Sequence, residues 1–102
     1  MSVMEMKRTV SMQSIVVASK EQISCDVGGE SVILDIRSGV YYSLDVTGSY
    51  IWSLIQERKT VGDVRDAVLE EFGVDPEMCA LDLVEFLDHL VSKGLLEVEN
   101  AD

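Results

Sequence analysis

Two runs of alternating apolar residues, at residues 32–36 and 40–44, lie close together near the middle of the chain. Alternation with a period of two is typical of β-strands that bury one face. Between the runs stand Arg37, Ser38 and Gly39, and a glycine here can adopt the positive φ that a short hairpin loop needs. The pattern therefore predicts a β-hairpin. Its expected core-facing residues are Val32, Leu34, Ile36, Val40, Tyr42 and Leu44.

A third strand is predicted before the hairpin, at residues 22–27. It has Ile23, Cys25 and Val27 on one face, and it ends at a glycine pair suited to a turn. The simplest arrangement is an antiparallel meander whose last strand, 40–44, has one unpaired edge. No lysine or proline guards that edge, so an extended peptide could add to it through main-chain hydrogen bonds. Coverage by the N-terminal segment or by a symmetry mate is the alternative.

Three segments with helical spacing of apolar residues follow the hairpin. The first ends near residue 58 and can begin at Asp45 or Thr47, because either side chain can cap the free N–H groups of a first turn. The second spans 60–72. The third spans 75–93 and opens with a capping aspartate followed by proline. A meander followed by three helices predicts an α+β, winged-helix-like fold.

The third helix has more apolar surface than a surface helix needs. Its apolar residues cover an arc of about 160°, whereas about 100° is enough to cover a core. The excess indicates either a deeply buried helix or a helix that shows one apolar edge to a groove. The residues concerned are Cys79, Ala80, Leu83, Val84, Phe86, Leu87, Leu90 and Val91.

A chain of 102 residues is long enough for one domain with a single core. We expect the domain at 14–98, a flexible tail at 1–13 and a short tail at 99–102. Residues 14–18 can extend, and residues 95–98 either return to the core or form a short strand. No apolar run approaches the roughly 18 residues of a membrane span, and no signal peptide is evident, so we expect a cytoplasmic protein without membrane partners.

The negative charge is concentrated in the second half of the chain. The net charge is −11, and residues 60–102 carry twelve acidic residues against Arg65 and Lys93. Such a surface repels nucleic acid and anionic lipid and attracts basic peptides or basic protein faces. Acidity that serves solubility alone is the alternative.

No catalytic, cofactor-binding or metal-binding arrangement is present in the sequence. The only histidine, His89, falls on the polar face of the third helix with no nucleophile placed near it. Cys25 and Cys79 lie in separate predicted elements without metal-ligand spacing, and we expect both to be buried free thiols. We therefore expect a protein that is not an enzyme and needs no cofactor.

Three other functions are alternatives for a chain with this pattern. A winged-helix DNA-binding protein would insert the third helix beside phosphates, which its acidic residues disfavour. An acidic carrier protein would display a modifiable serine at a helix start, whereas Ser43 falls inside a strand. A structural adaptor or regulatory subunit that caps the edge strand of another protein remains open.

Several stretches together form a recognisable pattern: Val32-Ile33-Leu34-Asp35, Ser38-Gly39-Val40-Tyr41-Tyr42-Ser43-Leu44-Asp45, Gly48-Ser49-Tyr50-Ile51-Trp52, and the later Asp82-Leu83, Phe86-Leu87, Leu90 and Gly94-Leu95-Leu96. This pattern resembles the PqqD-type peptide-recognition elements. The similarity covers roughly residues 20–98. The double tyrosine and the Gly-x-x-Ile-Trp stretch favour the free-standing members that serve lasso-peptide biosynthesis.

The resemblance implies a binding protein for the leader segment of a ribosomally made precursor peptide. In that family the leader adds as a strand beside the third strand of the meander, in a groove whose other wall is the third helix. The partners implied are the leader peptide, a leader peptidase and a macrolactam-forming cyclase. The expected peptide-binding residues are Val40, Tyr41, Tyr42, Ser43 and Leu44 on the strand and Asp82, Glu85 and Phe86 on the helix.

Overall fold

The computed structural model describes residues 10–99, which form three helices and two small antiparallel sheets. The strands are β1 (Ile15–Ala18), β2 (Gln22–Val27), β3 (Glu30–Asp35), β4 (Tyr41–Ser43), β5 (Lys59–Thr60) and β6 (Leu96–Glu99). The helices are α1 (Val46–Leu54), α2 (Val61–Phe72) and α3 (Pro76–Ser92). The predicted α+β fold, a three-stranded meander followed by three helices, is confirmed.

The meander has strand order β2-β3-β4, and α1 covers its inner face. Ile33, at the centre of β3, has no exposed surface and lies opposite Ser24 on β2 and Tyr42 on β4. Two hydrogen bonds attach α1 to this face. Trp52 Nε1 donates to Ser24 Oγ at 3.1 Å, and the Ser31 N–H donates to Ser49 Oγ at 2.7 Å.

The predicted core face of the meander is wrong for β2 and β3. Val32 and Leu34 lie on the outer face and are half-buried, while Ile36 and Val40 are exposed. Tyr42, by contrast, points inward as expected, and Leu44 is half-buried. Since Val32, Ile33 and Leu34 are all apolar, alternation alone does not show which face of β3 is buried. The position of α1 decides it.

The second sheet, of order β5-β1-β6, was not predicted as a sheet. β1 lies at its centre and pairs with both short strands, so that Val16 is opposite Lys59 and Val98. The sequence indicated that 14–18 could extend and that 95–98 could form a strand, and both segments do so. Their partner β5 has two residues, too few to show any periodicity.

The helices begin at predicted capping residues, and α2 and α3 end close to the predicted residues. Asp45 caps α1 by accepting the Gly48 N–H at 2.8 Å, Thr60 caps α2, and Asp75 caps α3. Helix α1 is shorter than predicted, because it ends at Leu54 rather than near residue 58. The buried core joins α1, α2, α3 and both sheets. Its largest fully buried side chains include Ile33, Ile55, Leu83, Leu87 and Leu95.

The predicted tails fall mostly outside the described residues, which exclude 1–9 and 100–102. Residues 10–13, placed in the tail by the sequence, pack onto the domain. Val10 has no exposed surface, and the Met12 carbonyl accepts the Gly62 N–H at 3.0 Å. No helix within residues 10–99 has the length and apolarity needed to cross a membrane.

Candidate functional site

Strand β4 has one paired and one unpaired edge, and the hydrogen bonds show which backbone groups face outward. The Asp35 N–H donates to the Val40 carbonyl at 3.0 Å, and the Leu44 N–H donates to the Ser31 carbonyl at 2.9 Å. In an antiparallel ladder, alternate residues bond to the same neighbour. Residues 40, 42 and 44 therefore face β3. The N–H and C=O groups of Tyr41 and Ser43 point away from the sheet, and no described strand pairs with them.

Both ends of β4 are held by side-chain hydrogen bonds. At one end, Ser49 Oγ donates to the Leu44 carbonyl at 3.3 Å and accepts from Ser31, so a hydroxyl bridges the ladder to α1. At the other end, Asp35 accepts hydrogen bonds from the Arg37 N–H at 3.1 Å and the Ser38 hydroxyl at 2.9 Å. Both hydrogen bonds lower the pKa of Asp35 below its usual value, and the bond from Ser38 has the larger effect. The edge is thus ordered before any ligand arrives.

Helix α3 passes both ends of β4. A Cβ placed on Gly48 would lie 3.4 Å from both Leu44 Cβ and Phe86 Cζ, so the Phe86 ring is next to the end of the strand. A Cβ on Gly94 would lie 2.5 Å from Arg37 Nη2, so the end of the helix is next to the hairpin loop. Phe86 therefore marks the edge of α3 that faces β4. On the opposite edge, Ala80 and Val84 line a cavity beside Met12, and Glu85 reaches this cavity as well.

A cavity of about 590 Å³ opens beside Phe86, between α1, α2 and α3. Its floor is apolar, and two exposed carboxylates, Asp45 and Asp82, also line it. The apolar and sulfur-containing lining residues are Ile51, Val68, Phe72, Val74, Met78, Cys79, Leu83 and Phe86. Burial is the main cause of the raised pKa of the Cys79 thiol, and the charge of Asp82 adds to it. Cys79 is therefore a neutral part of the apolar floor.

The three helix residues expected from the sequence lie together. Asp82, Glu85 and Phe86 line a shallower cavity of about 320 Å³ that also includes His89. Because Asp82 and Phe86 line both cavities, the two form one continuous surface along α3. None of the expected strand residues 40–44 lines either cavity, and Gly48 is the link between the end of the strand and Phe86. We name the space between the β4 edge and this surface of α3 the β4–α3 groove. The sequence did not predict Gly48 or the α2 residues of the larger cavity as site residues. Their helical spacing indicates a buried helix face and does not distinguish cavity-lining residues from other core residues.

The outer face of the meander is a second apolar surface. Ile23, Leu34 and Tyr41 form one row across the three strands, and Cys25, Val32 and Ser43 form the next. Ile23 is 60% exposed and Tyr41 is 69% exposed. Cys25 is exposed as well, so the prediction of two buried thiols is wrong for Cys25 and confirmed for Cys79. The cause is the inverted face of β2. No group of metal-ligating side chains occurs within residues 10–99.

Comparison with known proteins identifies the family. The family model of coenzyme PQQ synthesis protein D (PqqD) matches residues 30–96. The chain belongs to the PqqD family. The resemblance seen in the sequence is thereby confirmed, and the matched residues contain β3, β4 and all three helices. No curated protein sequence matches the chain.

Three solved structures share the fold. The structure of TbiB1 in complex with the TbiA(beta) leader peptide is 38% identical, with a TM-score of 0.76 over 84% of this chain and 99% of that one. Lasso peptide synthetase B1 complexed with the leader peptide is 22% identical, with a TM-score of 0.72 over 80% and 96%. The PqqD truncation of Methylobacterium extorquens PqqCD, a stand-alone RiPP recognition element, is 18% identical, with a TM-score of 0.73 over 88% and 96%.

Proposed function

We propose that this protein is a non-catalytic recognition element for the leader segment of a ribosomally synthesised precursor peptide of the lasso type. The leader adds as a strand to β4, and the complex then presents the precursor to a leader peptidase and a macrolactam-forming cyclase in the cytoplasm. The observation that carries the proposal is the unpaired, pre-ordered edge of β4 beside an apolar groove. The 38% identity to TbiB1, which was solved with a leader peptide, supports the same occupant.

Main-chain and side-chain contacts have separate roles in this proposal. The N–H and C=O groups of Tyr41 and Ser43 hold the backbone of the leader, whatever its sequence. Alternate leader side chains then enter the groove towards Phe86, and the larger cavity accepts one bulky apolar side chain. Asp45, Asp82 and Glu85 favour lysine or arginine at neighbouring leader positions. Binding should accordingly weaken as the salt concentration rises.

The test is titration of the purified protein with a fluorescent synthetic leader, followed by polarisation. We expect saturable binding, which Phe86→Ser weakens by about tenfold or more, because a half-buried aromatic residue at the centre of an interface is a typical hot spot. Val84→Ser is the matched control, since Val84 is also half-buried but lies on the opposite edge of α3.

The proposal predicts near-normal leader affinity for that control. If neither protein binds the leader, but the wild type associates tightly with a folded protein, the adaptor function is correct instead. Equal losses in both variants would place the groove elsewhere on α3.

The outer face of the meander is our proposed docking surface for a processing enzyme. It is apolar, is uncovered within residues 10–99, and adjoins the β4 edge through Tyr41, so an enzyme bound there would be next to the leader. Ile23→Lys should leave leader affinity unchanged and slow leader removal in a reconstituted reaction. The reason is that a charged side chain among the apolar residues of the outer face disfavours burial of that face against the enzyme. An unchanged rate of leader removal would exclude this face.

A further inference from the structure

Strand β2 is the other edge of the meander, and it too lacks a partner within the described chain. It is twice as long as β4, with six residues against three, and five of these six residues are exposed. Between Gln22 and Val27 there is no lysine, proline or bulge, and Asp26 is the one charged residue that opposes pairing of this edge. The proposed leader site makes no use of this edge.

The hydrogen bonds again show which groups face outward. The Ile36 N–H donates to the Glu21 carbonyl at 3.2 Å, so residues 21, 23, 25 and 27 are the ones that bond to β3. The N–H and C=O groups of Gln22, Ser24 and Asp26 therefore point away from the sheet. The same alternation makes residues 31, 33 and 35 of β3 face β4, which agrees with the bonds found on that side.

We propose that this edge binds β2 of a second copy of the chain, antiparallel and about a two-fold axis at Ser24. In this register Ser24 pairs with Ser24 of the second copy, and Gln22 pairs with its Asp26. It is the register that pairs all three outward-facing residues with one another. A shift by two residues in either direction would place one of them opposite Lys20 or Gly28, which lie outside the strand. A two-fold axis makes the contact self-complementary and closed.

The side chains agree with this register. Gln22 opposite Asp26 brings no like charges together, whereas a register centred on Asp26 would place two carboxylates face to face. Ile23 lies opposite Cys25 of the second copy in a non-hydrogen-bonded pair, where side chains approach most closely. The apolar rows of the outer face then continue from one meander into the other.

The joined sheet has six strands with a β4 edge at each end, so both leader sites remain open. The interface is small, and each copy carries a net charge of −11. We therefore expect a weak, concentration-dependent dimer that becomes stronger as salt screens the repulsion.

A mixed disulfide tests both the dimer and its register. Ile23→Cys combined with Cys25→Ser is mixed with the wild type under mild oxidation, and covalent dimer is measured by non-reducing electrophoresis and intact mass. Cys79 is buried and does not compete. We expect the mixture to form about tenfold more covalent dimer than a control mixture with Leu34→Cys/Cys25→Ser, because pairing raises the local thiol concentration. Leu34 lies on the same outer face, one strand further in.

The proposed pairing would be overturned if the control mixture formed as much covalent dimer as the test mixture. It would also be overturned if the wild type alone or the variant alone formed covalent dimer more readily than their mixture. Sedimentation velocity of the uncross-linked wild type at rising concentration and salt supplies the second measurement. A species that stays monomeric throughout would overturn the proposal whatever the result of leader binding. Leader titration of the same samples separates this outcome from a failure of the proposed function.

Discussion

Replacing Ser43 by proline will strongly weaken leader binding while leaving the domain folded. The Ser43 N–H points to the unpaired edge of β4, so proline removes a donor that the sheet itself does not use. The pyrrolidine ring would also occupy the space where the leader backbone must approach. Loss of one net hydrogen bond together with this clash predicts a loss in affinity of about 10- to 100-fold.

Tyr42→Pro is the matched control one residue away. The Tyr42 N–H faces β3, opposite Ile33, so proline there removes a hydrogen bond within the sheet. The substitution also removes the Tyr42 side chain, which packs against the edge of the core. We expect this variant to unfold at least partly. Circular dichroism and the fluorescence of Trp52, which is 2% exposed, report the fold in both cases. A folded Ser43→Pro variant that binds the leader as tightly as the wild type would rule out strand addition at β4.

Replacing Ile33 by alanine will destabilise the protein far more than replacing its neighbour Leu34 by alanine. Ile33 has no exposed surface and packs beneath α1, whereas Leu34 is half-buried on the outer face. Truncating a fully buried isoleucine typically costs about 2–5 kcal/mol, a large part of the roughly 5–15 kcal/mol that stabilises a small domain. The cost for Leu34 should be about 1 kcal/mol, because much of the removed surface is already in contact with water.

Urea denaturation followed by Trp52 fluorescence measures both free energies of unfolding. If the free energy of unfolding falls with urea concentration at a similar slope in both variants, the two expose the same surface area on unfolding. The difference between their midpoints is then a difference in stability. A larger loss for Leu34→Ala would mean that the opposite face of β3 is buried. That outcome would also remove the apolar docking surface proposed for the processing enzyme.

Local signals predicted most of the secondary structure because they act over a few residues. The capping side chains of Asp45, Thr60 and Asp75 bond to N–H groups only three residues away, so the helix starts could be found without knowledge of the fold. Gly73 has a φ of 60° and ends α2 as a helix-terminating glycine should. The hairpin loop around Gly39, which has a φ of 73°, was predicted from a local signal of the same kind.

Groove geometry was predictable only in part. The excess apolar arc of α3 indicated a deep helix or a helix with one apolar edge facing a groove, and the structure shows a buried stripe with half-buried apolar residues on both sides of it. Leu83, Leu87 and Leu90 are buried, while Phe86 and Val84 remain half-buried on opposite sides. Which of these two edges faces β4 depends on how α1 and α3 pack, and no residue spacing within α3 contains that information.

The sequence by itself determined the meander, the three helices and the open β4 edge, because strand alternation, turn glycines and helix caps are interactions between near neighbours in the chain. Tertiary structure alone decided three further features: the buried face of the meander, the joining of β1, β5 and β6 into a second sheet, and the edge of α3 that lies next to the end of β4. Each depends on contacts between distant segments, such as Trp52 with Ser24 and Ser49 with Ser31. A continuous apolar run like residues 32–34 satisfies either face equally, so only the helix that docks against it selects Ile33.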